Sequence, residues 1–495
     1  MMRHFNCFFS VLFILTVCCA AVSAQSQNIP LGKFENDVRN YAFQSIADPP
    51  IPGSSLFIGS SSFKLWSKKL EERFAQYDAV NRGFGGSQMS HNIAALARIH
   101  LPYKPARVIT FCGGNDLAAG KSVDAVFSDY KYYIARIWND NPLTEIFYVS
   151  VSHAPVREKY WEQTDDLNSR MKNLAAKNIG IYYIDVVLPL NGDNGRTRED
   201  LFRSDRLHLN DGGYEIWGRE FLKAFEEQDK DTAKKDIREL FKQRKENGFF
   251  DDPRFEKDGV AVKEPPEKDT KLNIVFIGDS ITIGGADKSP PARCAEYLRK
   301  QAGIGEVAFS NQGVSGFTTV DFLPSKNKQY KNVADAAGSF NNREGQLLFS
   351  VMLGTNDSAV RGPNGSPVSP EQYRANVKEI VDKLLTDYPG SKIVLHRPLW
   401  YSETTQNSST YLLEGQLRCT SYALELRALA DDYAKTSDTG RVFLGDTKAY
   451  HYFKVHHLDT MNRETGGQGT FFLHPNRRGM DVLGRFWGAA IQNAL

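Results

Sequence analysis

The chain reads as an α/β protein built of two tandem parallel-sheet domains, and three observations predict it. Short apolar runs alternate with amphipathic helical patterns through both halves, the order that builds a parallel sheet with crossover helices on both faces. Two runs in each half end in glycine-rich turns that carry polar side chains, the place where such sheets hold ligands. One ordered set of four motifs occurs twice, which marks an internal repeat.

The bulk numbers fit this reading. A chain of 495 residues is too long for one ordinary core and suits two domains of about 200 residues. The apolar share of 41% fills both cores. A net charge of +2 creates no strong field toward nucleic acid or acidic lipid, so no nucleic-acid partner is expected. Basic pairs such as Lys234-Lys235 and Arg244-Lys245 are interleaved with acids and read as solvated surface.

Residues 1–24 read as a cleaved signal peptide. Arg3 and His4 precede an apolar stretch over 8–22, and Val22-Ser23-Ala24 offers a small-residue cleavage site before Gln25. The stretch is short for a membrane span and no second candidate follows. The expected location is secreted or periplasmic; bulky Val17 argues against a lipid anchor on Cys18. Of six cysteines, Cys112, Cys294 and Cys419 remain after removal of this segment. Three make no disulfide framework, which leaves two readings: a Cys294–Cys419 bridge, or buried thiols. No His/Cys cluster has zinc spacing.

Leu56-Phe57-Ile58 is the first buried strand, and it delivers Ser61 at its carboxyl end. Residues 108–111 do the same for Gly113-Gly114-Asn115, and residues 146–151 and 181–184 continue the sheet. Helical patterns cover 123–138 and 167–177. In the second half, residues 273–277 lead into Gly278, residues 347–353 into Gly354, and residues 392–396 form a further strand. A closing helix starts after His208 and another after His474, with Asn210 and Asn476 as N-caps. The charged stretch 226–246 carries a weak apolar stripe at Ile237, Leu240 and Phe241, and prolines at 253, 265 and 266 mark a linker. The expected domains are 28–248 and 271–495, joined by a linker over 249–270. The second has longer motif spacings, hence longer loops.

The first set of motifs is Gly59-Ser60-Ser61-Ser62, then Asn81-Arg82-Gly83-Phe84-Gly85-Gly86, then Gly113-Gly114-Asn115-Asp116, then Asp205-Arg206-Leu207-His208. The second is Gly278-Asp279-Ser280-Ile281, then Asn311-Gln312-Gly313-Val314-Ser315-Gly316, then Gly354-Thr355-Asn356-Asp357, then Leu473-His474. A serine hydroxyl needs an adjacent base to become a nucleophile. His208 fits as that base, and Asp205 as the acid that orients it toward Ser61. The Ser61 amide, the Gly86 amide and the Asn115 side chain fit as oxyanion donors, each worth roughly 3–4 kcal/mol in such sites. Taken alone, each residue has a plainer reading as turn, cap or surface pair; order and repetition carry the chemistry. Asp116 and Asp357 read as loop braces.

On these motifs the chain resembles the SGNH, or GDSL-type, esterase superfamily, and the four blocks cover most of both halves. Gly278-Asp279-Ser280-Ile281 is close to the family's name motif, and the first copy carries Ser60 where that motif has Asp. The resemblance implies two flavodoxin-like sandwiches, each with five parallel strands, and a cofactor-free, metal-free acyl-enzyme mechanism. It places the family's roles on Ser61, Gly86, Asn115, Asp205 and His208, and on Ser280, Gly316, Asn356 and His474. The second copy departs at Phe471, which stands where the first has an acid three residues before the histidine. Three outcomes stay open: a backbone carbonyl orients His474, an acid from elsewhere such as Asp459 does so, or catalysis is lost and a sugar pocket is kept.

The expected substrate is an acetylated glycan or another small ester, a choice that rests on the resemblance and on secretion. A lipase, lysophospholipase or thioesterase is the competing enzyme, and a glycan-binding protein the competing class. Tyr160, Trp161, Trp400, Tyr401 and Tyr411 are candidate rim aromatics, although such residues more often pack. Trp161, His396, Arg397 and Trp400 are the expected substrate contacts. The sequence names no oligomeric state.

Overall fold

The computed structural model describes residues 31–231, 235–285, 289–326 and 328–495. The signal-peptide reading of 1–24 lies outside them, as does Lys234. The chain divides into two compact units, residues 31–41 with 55–265 and residues 42–54 with 266–495.

In the first unit β1 (Ser55–Gly59), β2 (Ala79–Gly83), β3 (Arg107–Phe111), β4 (Glu145–Val149) and β5 (Ile181–Ile184) form a parallel sheet in the order β2-β1-β3-β4-β5. In the second, β6 (Thr270–Gly278), β7 (Ile304–Gly313), β8 (Gln346–Met352), β9 (Lys392–Leu395) and β10 (Val442–Leu444) repeat the plan as β7-β6-β8-β9-β10. This is the flavodoxin-like order expected. A short antiparallel hairpin, β11 (Glu464–Gly466) and β12 (Gly469–Phe471), has no counterpart among the described residues of the first unit.

Helices cover both faces of each sheet because the central strands are apolar on both. In β6, Leu272, Ile274 and Phe276 join one buried cluster with Leu298, Leu483 and Trp487. Val275 and Ile277, on the other side of the pleat, join a second with Val377, Ile380 and Leu426. One buried cluster of the first unit is largely aromatic: it holds Phe57, Phe63, Trp66, Phe74, Trp217 and Phe221.

Register brings the motifs to one edge. Gly59 lies beside Gly83 on β2 and Phe111 on β3, and Gly278 lies beside Gly313 and Met352. The nucleophile turn, the glycine turn and the asparagine turn therefore leave adjacent strands at the same height. Gly59 has φ +144°, and a methyl on it would sit 2.1 Å from the Phe111 carbonyl oxygen. Only glycine permits strands so close.

The predicted linker is shorter than expected. Phe249 and Phe255 are buried, a helical turn spans Arg254–Lys257, and Asp258 accepts from the Tyr132 hydroxyl. Asn139 bonds the Ala261 carbonyl at 3.0 Å and the Lys263 amide at 2.7 Å. Apolar anchors thus fasten the segment through Lys263 to the first unit, and the division falls at Pro265-Pro266. The stripe over 226–246 becomes the helix Ile237–Glu246, with Ile237 and Leu240 buried.

Two candidate active sites

In the first unit Ser61 opens the helix Ser61–Arg73 immediately after β1. Its hydroxyl is 2.8 Å from His208 Nε2, and His208 Nδ1 is 2.7 Å from Asp205 Oδ2. The other Asp205 oxygen accepts the Leu207 and His208 amides at 2.9 and 3.0 Å. The His208 amide, its imidazole and the Leu207 amide hold the Asp205 carboxyl well below the usual carboxylate range. A carboxylate that stays charged keeps the proton on Nδ1 and leaves Nε2 to accept from Ser61. The turn closes through Arg206 at φ +54°, a left-handed conformation that costs roughly 1 kcal/mol in a non-glycine residue.

The donors stand beside the serine. The Ser61 amide heads its helix and, like the Gly86 amide, has no partner among the described residues. Gly86 has φ +81° with open space where a side chain would start, so the left-handed turn is what calls for glycine. Asn115 Nδ2 donates to the Ser87 carbonyl at 3.0 Å, and its Oδ1 accepts from Arg157 Nη2 at 2.6 Å. One Nδ2 proton remains for a ligand. Asp116 is fully buried and accepts from the Met89 amide and from Lys121, which braces the loop. The cleft over Ser61 and His208 is also lined by Asn115, Arg157, Tyr160 and Trp161. Trp161 stacks one ring face on His153 at 4.7 Å.

The second site repeats the dyad, with Ser280 Oγ 2.9 Å from His474 Nε2. Asn356 Nδ2 donates to the Phe317 carbonyl at 2.9 Å, and the Tyr411 hydroxyl, in place of arginine, donates to Asn356 Oδ1 at 2.7 Å. Gly316 has φ +78°. Asp357 accepts the Thr319 amide at 3.0 Å, as Asp116 accepts that of Met89. Asp279 Oδ1 accepts the Ile281 amide at 2.9 Å, and burial, partly offset by that amide, pushes its carboxyl up to about 6.

The acid of the second site is Glu464, which sequence reasoning missed. Its Oε1 and Oε2 lie 3.0 and 3.1 Å from His474 Nδ1, and Oε1 also accepts the His474 amide at 3.1 Å. Burial works against both charges, but the bonds and charge between the pair outweigh it: Glu464 is lowered and His474 raised. Glu464 pairs across the hairpin with Phe471, so the acid enters from the strand opposite the vacant sequence position. Of the three outcomes left open, an outside acid is the one found, and Asp459 is not it. The Asp459 carbonyl instead accepts from Asn476. The run Thr465-Gly466-Gly467-Gln468-Gly469-Thr470 is a hairpin signal that would have revealed it.

Three expected substrate contacts are corrected. His396 is buried; its Nδ1 accepts the Asp446 amide at 2.9 Å, so Nε2 carries the proton toward Ser350 Oγ at 3.0 Å. Arg397 lies over the Tyr450 ring at 3.5 Å and bonds His451 at 3.2 Å. Trp400 packs in the core beside Ala449 and Phe453. The chain after β9 turns inward, so these side chains complete the interior. Trp161 does line the first cleft. Cys112, Cys294 and Cys419 are buried free thiols, which excludes the bridge.

Residues 52–216 and 276–482 each match the GDSL-like Lipase/Acylhydrolase family, and the chain belongs to it. Similar solved structures include a GDSL-like lipase from Bacteroides thetaiotaomicron, 19% identical over 39% of this chain and 98% of that one, with a TM-score of 0.35. A member of the lipolytic protein G-D-S-L family from Veillonella parvula is 15% identical over 43% of this chain and 94% of that one, TM-score 0.29. A carbohydrate esterase family 3 protein from Talaromyces cellulolyticus is 14% identical over 37% of this chain and 100% of that one, TM-score 0.29. An uncharacterized protein of Mycoplasma pneumoniae is 32% identical over 132 residues, 26% of this chain, and the chain spans 13% of that protein's length.

Proposed function

We propose that the protein is a secreted serine esterase with two acyl-transfer sites that removes O-acetyl groups from carbohydrate. The observation that carries the ester chemistry is the unbroken chain Asp205–His208–Ser61 beside unpartnered amide donors. His208 Nε2 takes the Ser61 proton as Oγ attacks the acyl carbon. The oxyanion forms against the Ser61 and Gly86 amides and the remaining Asn115 proton. His208 returns the proton to the leaving alcohol, then draws one from water as it attacks the acyl-serine, and passes that proton to Ser61 Oγ as the acid is freed. Ser280, His474, Glu464, Gly316 and Asn356 take the same parts in the second site.

Family membership and the targeting segment read in residues 1–24 support the choice of substrate. Tyr160 and Trp161 at the first cleft add aromatic surface on which a sugar ring can stack. No helix among the described residues is long and apolar enough to cross a membrane.

The test compares release of p-nitrophenol from the acetate and the octanoate, followed by acetate release from acetylated polysaccharides. Acetate preference with release from at least one glycan is expected. Octanoate preference points to lipid, and no turnover points to binding alone. Ser61→Ala and Ser280→Ala should each remove one component of the acetate activity, and the double variant all of it.

A further inference from the structure

Arg157 is a half-buried cation in the first cleft with no carboxylate partner among the described residues. Some partly buried arginines here are paired: Arg254 with Asp129 and Asp252 at 2.7 Å each, Arg136 with Asp258 at 3.4 Å. Arg244 and Arg397 also lack an ion pair among the described residues, but Arg244 donates to the Pro142 carbonyl at 2.7 Å and stacks on Trp138, and Arg397 lies over the Tyr450 ring and bonds His451. Arg157 has one side-chain acceptor, Asn115 Oδ1. Its Nη1 has none and lies where a methyl on Gly114 would approach to 2.9 Å. None of the residues lining the cleft is an aspartate or glutamate. Burial pulls the guanidinium below its ordinary value, opposed only by Tyr160. A cation held in that state is costly until a ligand supplies the opposite charge.

The second site is built differently at both positions. Thr355 stands at the motif position of Gly114, and the uncharged Tyr411 hydroxyl, not an arginine, holds Asn356.

We propose that Arg157 makes the first site selective for esters bearing a carboxylate, such as the acetyl ester of an acidic sugar, and that the second site takes uncharged esters. The proposal rests on both sites being acyl-transfer centres. Nη2 stays on Asn115 while Nη1 meets the carboxylate, an arrangement suited to the planar fork of arginine. The carboxylate can sit on the acyl side or the alcohol side of the ester, and matched substrates separate the two.

The experiment uses the full chain carrying Ser280→Ala. Two pairs are compared by kcat/KM: p-nitrophenyl acetate with p-nitrophenyl hydrogen succinate, and methyl para-acetoxybenzoate with para-acetoxybenzoate. Arg157→Met is expected to slow the charged member of one pair about tenfold or more beyond its effect on the neutral member, a difference of about 1.4 kcal/mol. The responding pair identifies the side. Arg157→Lys should restore part of that difference, which shows that a merely damaged fold is not the cause. Equal losses within both pairs would overturn the proposal and leave Arg157 as a positioning residue for Asn115. In the Ser61→Ala protein the neutral member should be the better substrate, and preference for the charged one would overturn the second half. Undiminished turnover by the double serine variant would instead refute the esterase reading itself.

Discussion

Asp205 and Glu464 meet the same requirement from different places in the chain. Each holds the Nδ1 of its histidine and accepts that histidine's own amide. Asp205 was legible because it sits three residues from His208, within one turn. Glu464 was not, because its contact with His474 depends on a hairpin register. Replacing Glu464 with Gln in the Ser61→Ala protein should lower kcat about a hundredfold or more and shift the pH profile. The Glu464 carboxylate raises His474 against its burial, so the base stays protonated to a higher pH than an ordinary imidazole. Without that charge the acid limb should move to lower pH. A profile that does not move would remove Glu464 from the site. Asp279 gives a stability prediction. Its carboxyl is raised to about 6 by burial, so its favourable contribution is complete below the ordinary aspartate range and lost as pH rises through about 6. Asp279→Asn keeps an oxygen for the Ile281 amide and carries no charge. It should raise Tm at pH 8 by an amount equivalent to roughly 2–3 kcal/mol, with the gain vanishing near pH 4. Equal melting temperatures at both pH values would contradict this.

At the scale of elements, what was legible followed burial. Strands β1, β3, β6 and β8 carry mostly apolar residues that are mostly buried, and the sequence shows them as apolar runs. Edge strand β2 has polar Asn81 and Arg82, β7 is half-buried along most of its length, and β10 is only three residues long; none offers a long apolar run to read. The closing helices were legible from their caps, and Asn210 and Asn476 accept the Gly213 and Gly479 amides at 3.2 and 3.0 Å. His396, Arg397 and Trp400 were misplaced because a strand end resembles a site whether the chain then turns outward or inward. The β11–β12 hairpin carries its own prediction. A methyl on Gly466 would come within 1.7 Å of the Gln406 carbonyl oxygen, so Gly466→Ala must shift the hairpin and with it Glu464. Second-site turnover, measured with Ser61→Ala, should fall about tenfold or more, while the first site, measured with Ser280→Ala, should keep its rate. Unchanged second-site turnover would show that the hairpin does not set the histidine.

For the whole molecule, the repeat gives two candidate sites on one chain, each assembled at the edge of its own sheet. The sequence disclosed two candidate sites, because the order of the motifs survives in both copies although their spacing does not. It did not disclose how His474 is oriented or which charge each cleft presents, since both depend on residues remote in sequence: Glu464, Arg157 and Tyr411. The most direct test counts reactive serines. The protein is treated with a fluorophosphonate and weighed intact, with peptide mapping of the adducts. Two adducts per chain, on Ser61 and Ser280, are predicted, with one in each single serine variant and none in the double variant. An unlabelled Ser280, with Ser61 fully modified, would contradict the claim of a second working site, and absence of any adduct would contradict the esterase account altogether.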